Sequence, residues 1–185
     1  MRVIEYLLPH RPPFLMVKSI VEYIGGDAPT LNAEYPVRRS EPVFSGAEPP
    51  FYWPSVYVIE GLGQCCSLLS LIWACERNPT VKALGTESVS AALMNAEEDA
   101  EGAYILEQLS EIFESGAPGT ASRIGVLASV DVTIIGQVRA GELLRYKVEQ
   151  TRVLGGLFRF AVQASVETQI VAHGTITGAQ LEGIS

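Results

Sequence analysis

PSVYVIEGLGQCCSLLSLIWAC, residues 54–75, is apolar on nearly every side, and a helix of that kind lies buried rather than on a surface. One charge interrupts it, Glu60. Gln64 follows four residues on and Ser67 seven, so the three share one stripe of a helix. Taking a lone carboxylate out of water is costly unless it is paired or its proton is retained. Three readings of Glu60 stand side by side: a structural carboxylate held by a buried arginine, one at a helix edge reaching solvent, and a reactive group. A membrane span is a further reading of the run, since about 20 apolar residues cross a bilayer. Glu60, Gln64, Gly61 and Gly63 weaken the span, and it has no counterpart elsewhere in the sequence.

Outward from the helix the texture is that of strands. Residues 14–24, FLMVKSIVEYI, alternate loosely and are rich in β-branched side chains, which predicts a strand ended by Gly25-Gly26. Residues 29–38, PTLNAEYPVR, predict its antiparallel partner across a turn at Gly25-Gly26-Asp27. Residues 1–13 read as short and turn-rich, closing on His10-Arg11-Pro12-Pro13. The proline-rich residues 40–54 carry Phe51, Tyr52 and Trp53, a stiff loop that suits the wall of a pocket or a cover over the core. Ser55 is the candidate cap of the long helix, which is predicted to stop near Asn78-Pro79. Asn95 and Glu98 have the spacing of a capping box, and Ile105, Leu106, Leu109, Ile112 and Phe113 make an apolar stripe. They predict an amphipathic helix at about 96–114, stopped by Gly116-Ala117-Pro118-Gly119. After Ile124 come four strand-like runs, divided by residues 136–141, by Gly155-Gly156 and by a turn near Glu167, the middle pair forming a long hairpin. Two strands, a buried helix and four strands predict an α+β domain, one antiparallel sheet wrapped around a long buried central helix.

The 185 residues suit a single domain, 1–185, with an inserted segment at about 76–123. A content of 48% hydrophobic and 18% charged residues describes a globular chain. The net charge of −8 is unevenly spread, because eight acids and no base fall between residues 83 and 122. The rest of the chain is balanced and carries no basic stripe, which disfavours nucleic-acid binding. Cys65, Cys66 and Cys75 all lie in the apolar helix without metal-type spacing, so they read as reduced packing residues of a cytoplasmic protein. MRVIEYLLPHR lacks the sustained apolar core of a signal peptide.

Local wording adds a resemblance. Leu8-Pro9-His10-Arg11-Pro12-Pro13-Phe14-Leu15, Pro42-Val43-Phe44-Ser45-Gly46, Ile59-Glu60-Gly61-Leu62-Gly63-Gln64 and Val138-Arg139-Ala140-Gly141-Glu142-Leu143 resemble motifs of the 3-hydroxyacyl-[acyl-carrier-protein] dehydratases of the FabZ type, which have the hotdog fold. The resemblance covers roughly residues 5–75 and 124–180; residues 76–123 have no counterpart in short members of the family. Two departures stand out. The family's Gly-His-Phe-Pro corresponds to Gly46-Ala47-Glu48-Pro49, so Ala47 occupies the position of the catalytic histidine, and Ser55 replaces a glycine at the helix start. The family's carboxylate is kept as Glu60.

Dehydrating a 3-hydroxyacyl thioester takes a base at the α-carbon, an acid for the departing hydroxyl and N–H groups to polarise the thioester carbonyl. The resemblance implies that Glu60, with Gln64, carries half of this constellation, a buried glutamate that holds its proton suiting the acid half. It further implies that each site combines one subunit's histidine with the other's glutamate. The chain then reads as the Glu-bearing, His-lacking half of a heterodimer with a histidine-bearing homologue, acting on acyl carrier protein thioesters of fatty acid, polyketide or polyene type. The alternatives are a self-sufficient homodimeric dehydratase or thioesterase pairing Glu60 with Glu48, and a non-catalytic acyl-binding partner. His10 and His173 read as hydrogen-bonded structural histidines. The expected substrate-binding residues are Gly46, Ala47, Glu48, Phe51, Trp53, Ser55 and Val56, lining a narrow apolar tunnel. Arg38, Arg39, Arg139 and Arg145 are candidates to dock an acidic carrier, with the acidic insert lying away from the tunnel mouth or meeting a basic partner. No metal or cofactor is expected.

Overall fold

The computed structural model describes residues 3–77, 79 and 125–180. In chain order the elements are α1 (Val3–Leu7), β1 (Ser19–Ile24), β2 (Thr30–Pro36), a 3-10 turn (Pro42–Phe44), α2 (Ser55–Arg77), β3 (Gly125–Ile134), β4 (Leu143–Leu154), β5 (Leu157–Val166) and β6 (Gln169–Gln180). The strands form one antiparallel sheet in the order β1-β2-β4-β5-β6-β3. As predicted, two strands precede the central helix, four follow it, and β4 and β5 make the long hairpin across Gly155-Gly156. Gly155 takes a left-handed φ of 59°, which a residue without Cβ adopts freely.

Helix α2 lies against β2 to β6. Its length and hydropathy would suffice to cross a bilayer, yet Leu62, Leu68, Leu69 and Ile72 are sealed between helix and sheet. Each such side chain stabilises the fold by about 1.5–3 kcal/mol. The sheet answers with period-two alternation: Leu31, Ala33 and Tyr35 of β2, and Leu144, Tyr146 and Val148 of β4, point at the helix. Closest approach is at Gly61, where an added Cβ would overlap the Tyr146 hydroxyl and ring.

Several expectations are corrected. The first strand begins at Ser19 rather than residue 14: the Lys18 amide still donates to the Glu34 carbonyl of β2 at 2.8 Å, but before it the Met16 amide turns to the helix and donates to Gln64 Oε1 at 2.8 Å. The turn-rich opening contains α1, whose Ile4 and Leu7, with the following Leu8, are buried. Helix α2 starts at Ser55 itself, so the cap position falls to Pro54, and Ser55 is an exposed first-turn residue. The end of α2 at Arg77 agrees with the expected stop near Asn78-Pro79, and in its last turn Glu76 accepts a 2.6 Å hydrogen bond from the Tyr23 hydroxyl. The capping box at Asn95, the helix at 96–114 and nearly all of the insert lie outside the described residues.

Candidate functional site

Glu60 sits one turn and a half into α2, on the face turned toward the N-terminal segment. Gln64, one turn on, is only 2% exposed and fully engaged. Its Nε2 donates to Glu60 Oε1 at 2.9 Å and to the Phe14 carbonyl at 2.7 Å, while its Oε1 accepts the Met16 amide. Gln64 thus acts on the site through what it holds: one side chain fixes both the carboxylate and the segment Phe14–Met16 beside it. Ser67, the third member of the stripe, is exposed and donates to the Gly63 carbonyl at 3.2 Å.

Two features of the carboxylate choose among its readings. Its side chain is 43% exposed, which fits the reading of a group at the helix edge that reaches solvent. The sheet covers one side of α2 and leaves the stripe of Val56, Glu60 and Ser67 outside. The second feature is a neighbour that sequence spacing does not reveal: His10 Nε2 lies 3.5 Å from Glu60 Oε1. The His10 loop is tied in place by Arg11, whose Nη1 donates to the Leu8 and His10 carbonyls at 2.9 and 2.8 Å, and by the Phe14 amide, which donates to the Arg11 carbonyl at 2.8 Å. The signal was the LPHR motif together with buried Leu7 and Leu8, which fasten the loop beside α2. His173, on β6, is paired across the sheet with Thr133 and Gln163, far from this cluster in the strand order.

The remaining candidates divide. Gly46, Ala47 and Glu48 form an exposed loop after the 3-10 turn, with Gly46 at a φ of +73°. Phe51 is half-buried under the Arg39 guanidinium, 3.6 Å from its ring centroid. Trp53 is buried, packed at 5.5 Å from Tyr35, 5.9 Å from Phe44 and 5.1 Å from Tyr57. Its loop is stitched to the β3–β4 connection by Trp53 N–H to Val138 O and Ala140 N–H to Phe51 O. A cleft of about 220 Å³ lies at the start of α2, walled by Tyr52, Trp53, Ser55 and Val58 opposite Ile134 and Val171. Glu60 does not line it, and Val56 is 63% exposed on another side. A larger groove of about 580 Å³, between Gly141–Arg145 and Val166–Gln169, is remote from the carboxylate in sequence and lining. Of the four arginines, Arg145 is spent on Glu34 at 3.1 Å and Arg139 lies over Tyr52, while Arg38 is exposed. Among the described residues no cluster of three metal-type ligands occurs.

No family model matches the chain. The 3-hydroxyacyl-[acyl-carrier-protein] dehydratase FabZ of Polynucleobacter asymbioticus is 28% identical over 172 residues, 92% of this chain and 85% of that protein. The FabZ of Thioalkalivibrio sulfidiphilus is 28% identical over 177 residues, 95% of this chain and 91% of its own. The FabZ of Nitratiruptor sp. reaches 41% over 75 residues, which are 40% of this chain and 49% of that protein. Among solved structures, a chain of the dehydratase heterocomplex ApeI:P from Xenorhabdus doucetiae superposes with a TM-score of 0.59 at 13% identity, covering 97% of this chain and 91% of that one. That likeness fixes the fold, and the sequence likeness adds the relatives. The chain is a hotdog-fold protein similar over most of its length to the FabZ-type 3-hydroxyacyl-[acyl-carrier-protein] dehydratases.

Proposed function

We propose that the chain is a cytoplasmic dehydratase subunit acting on 3-hydroxyacyl thioesters borne by an acyl carrier protein, and that it contributes the carboxylate half of a site completed by a second hotdog chain. The observation that carries this reading is Glu60 itself, a carboxylate anchored by Gln64 and half open to solvent; the resemblance assigns the family's histidine position to Ala47. In the reaction a base removes the α-proton, the electron pair of that C–H bond forms the double bond, and the β-hydroxyl leaves with a proton from the acid, as water. One carboxylate serves one of these two transfers at a time, and the two-chain reading assigns the other to a histidine of the second chain.

The partner is a homologous hotdog subunit that meets β3. This edge strand runs for ten residues, pairs among the described residues only with β6, and shows Val126, Leu127 and Val130 at 41, 58 and 39% exposure. A long apolar edge with unpaired backbone groups invites another strand. The opposite edge, β1, is six residues long and bulged between Ile20 and Glu22, features that discourage pairing. ApeI:P is named as a heterocomplex, which gives this assembly a precedent on the same fold.

The test is to prepare the chain alone and together with a histidine-bearing homologue, and to follow water loss from a 3-hydroxyacyl carrier thioester by mass spectrometry. The complex is expected to be active, and Glu60→Gln within it to lose about 10²-fold or more. Full activity of the chain alone would remove the two-chain part of the proposal. Release of free thiol in place of water would replace the dehydratase by a thioesterase.

A further inference from the structure

Glu60 is addressed from two directions at the same atom. The Gln64 amide donates to Oε1 at 2.9 Å, and His10 Nε2 stands 3.5 Å from that same Oε1. The other ring nitrogen, His10 Nδ1, is buried and has no hydrogen-bond partner among the described residues. Either tautomer leaves Nδ1 unpaired, and the one with its proton on Nε2 also turns an N–H toward Glu60 Oε1, so that tautomer fits the site. The ring is held there from its own backbone, by Arg11 on the Leu8 and His10 carbonyls and by the packing of Leu7 and Leu8 in the core.

We propose that His10 is a positioning residue of the site: with Gln64 it fixes Oε1 of Glu60 from within the same chain, leaving Oε2 as the oxygen that meets substrate. The inference rests on the dehydratase reading for its kinetic consequence and on geometry alone for its structural one. It gives the LPHR segment a task distinct from the missing histidine at position 47. A partner's histidine would then face a carboxylate whose orientation is already set, instead of one free to turn on the half-open surface of α2.

Two measurements test it on the full chain, in complex with its partner for the kinetics. In the first, His10→Ala is expected to lower kcat by about 10- to 100-fold with little change in KM, since misplacement of a reacting group costs that much. His10→Gln, whose amide N–H reaches a similar position without titrating, is expected to recover most of the loss. Undiminished kcat in His10→Ala, or a glutamine variant no better than alanine, overturns the proposal; the latter would make the imidazole a proton carrier. In the second, ¹⁵N NMR of the histidine ring is expected to show Nδ1 bare and Nε2 protonated, with the Nε2 resonance moving in Glu60→Ala. A protonated Nδ1, or an Nε2 indifferent to Glu60, overturns it. The NMR result stands whether or not the protein dehydrates anything, so failure of the functional reading and failure of the positioning role are told apart.

Discussion

Gln64 spends its whole amide inside the protein, on the Met16 N–H, the Phe14 carbonyl and the Glu60 carboxylate. Gln64→Leu keeps much of the volume and removes all three bonds. Two backbone groups then lose their partners in a buried place, at about 1–3 kcal/mol each. The expected outcome is a loss of roughly 2–5 kcal/mol, read as a lower urea midpoint at unchanged slope. Glu60→Gln, by contrast, alters a half-exposed group and leaves the Met16 and Phe14 bonds in place, so its midpoint should stay close to that of the unaltered protein. The pair of variants separates the two jobs combined on this helix face: Gln64 holds the fold together, and Glu60 is free for chemistry.

At the scale of elements, β3 is where the fold is least finished. Placing a charge on its apolar outer edge, as Val130→Lys, is expected to dissociate the proposed dimer, raising its dissociation constant about tenfold or more, measured by light scattering across a dilution series. A dimer that survives the substitution would mean the partner sits elsewhere. The strand itself, like β2, β4, β5 and β6, was legible because each is a period-two run bounded by glycine or turn residues. Helix α2 was legible from its length and composition. What escaped were elements whose partner is not local. β1 loses residues 14–18 of the expected strand, where a glutamine about fifty residues away claims the Met16 amide, and α1 is too short to show periodicity yet is fixed by burial of Ile4, Leu7 and Leu8. The site follows the same rule: Glu60 and Gln64 announce themselves by spacing on one helix, whereas His10 joins them only through the fold of its loop, and the exposure of Glu60 depends on which side of α2 the sheet leaves uncovered.

For the molecule as a whole, three thiols buried around one helix tie stability to pH. Burial lifts Cys65 and Cys66 well above the usual thiol range and pushes Cys75 up to about 12. Unfolded, all three ionise near about 8.5. Below that pH both states keep their protons and the thiols are neutral to stability. Above it the unfolded chain holds fewer protons than the folded one, so stability falls as pH rises, by up to about 1.4 kcal/mol per thiol per pH unit. Urea midpoints at about pH 7.5 and 9.5 should therefore diverge, and Cys66→Ala should flatten the dependence by roughly a third; equal midpoints would mean the thiols ionise in place. Another consequence follows from the joint between the N-terminal segment and α2. The Met16 amide gives its hydrogen to a side chain that also grips the Glu60 carboxylate, so it is a built-in gauge of that carboxylate's occupancy. A deuterium-exchange experiment that follows this one amide, with and without an acyl thioester, should register ligand arrival as slower isotope uptake at a position no substrate touches.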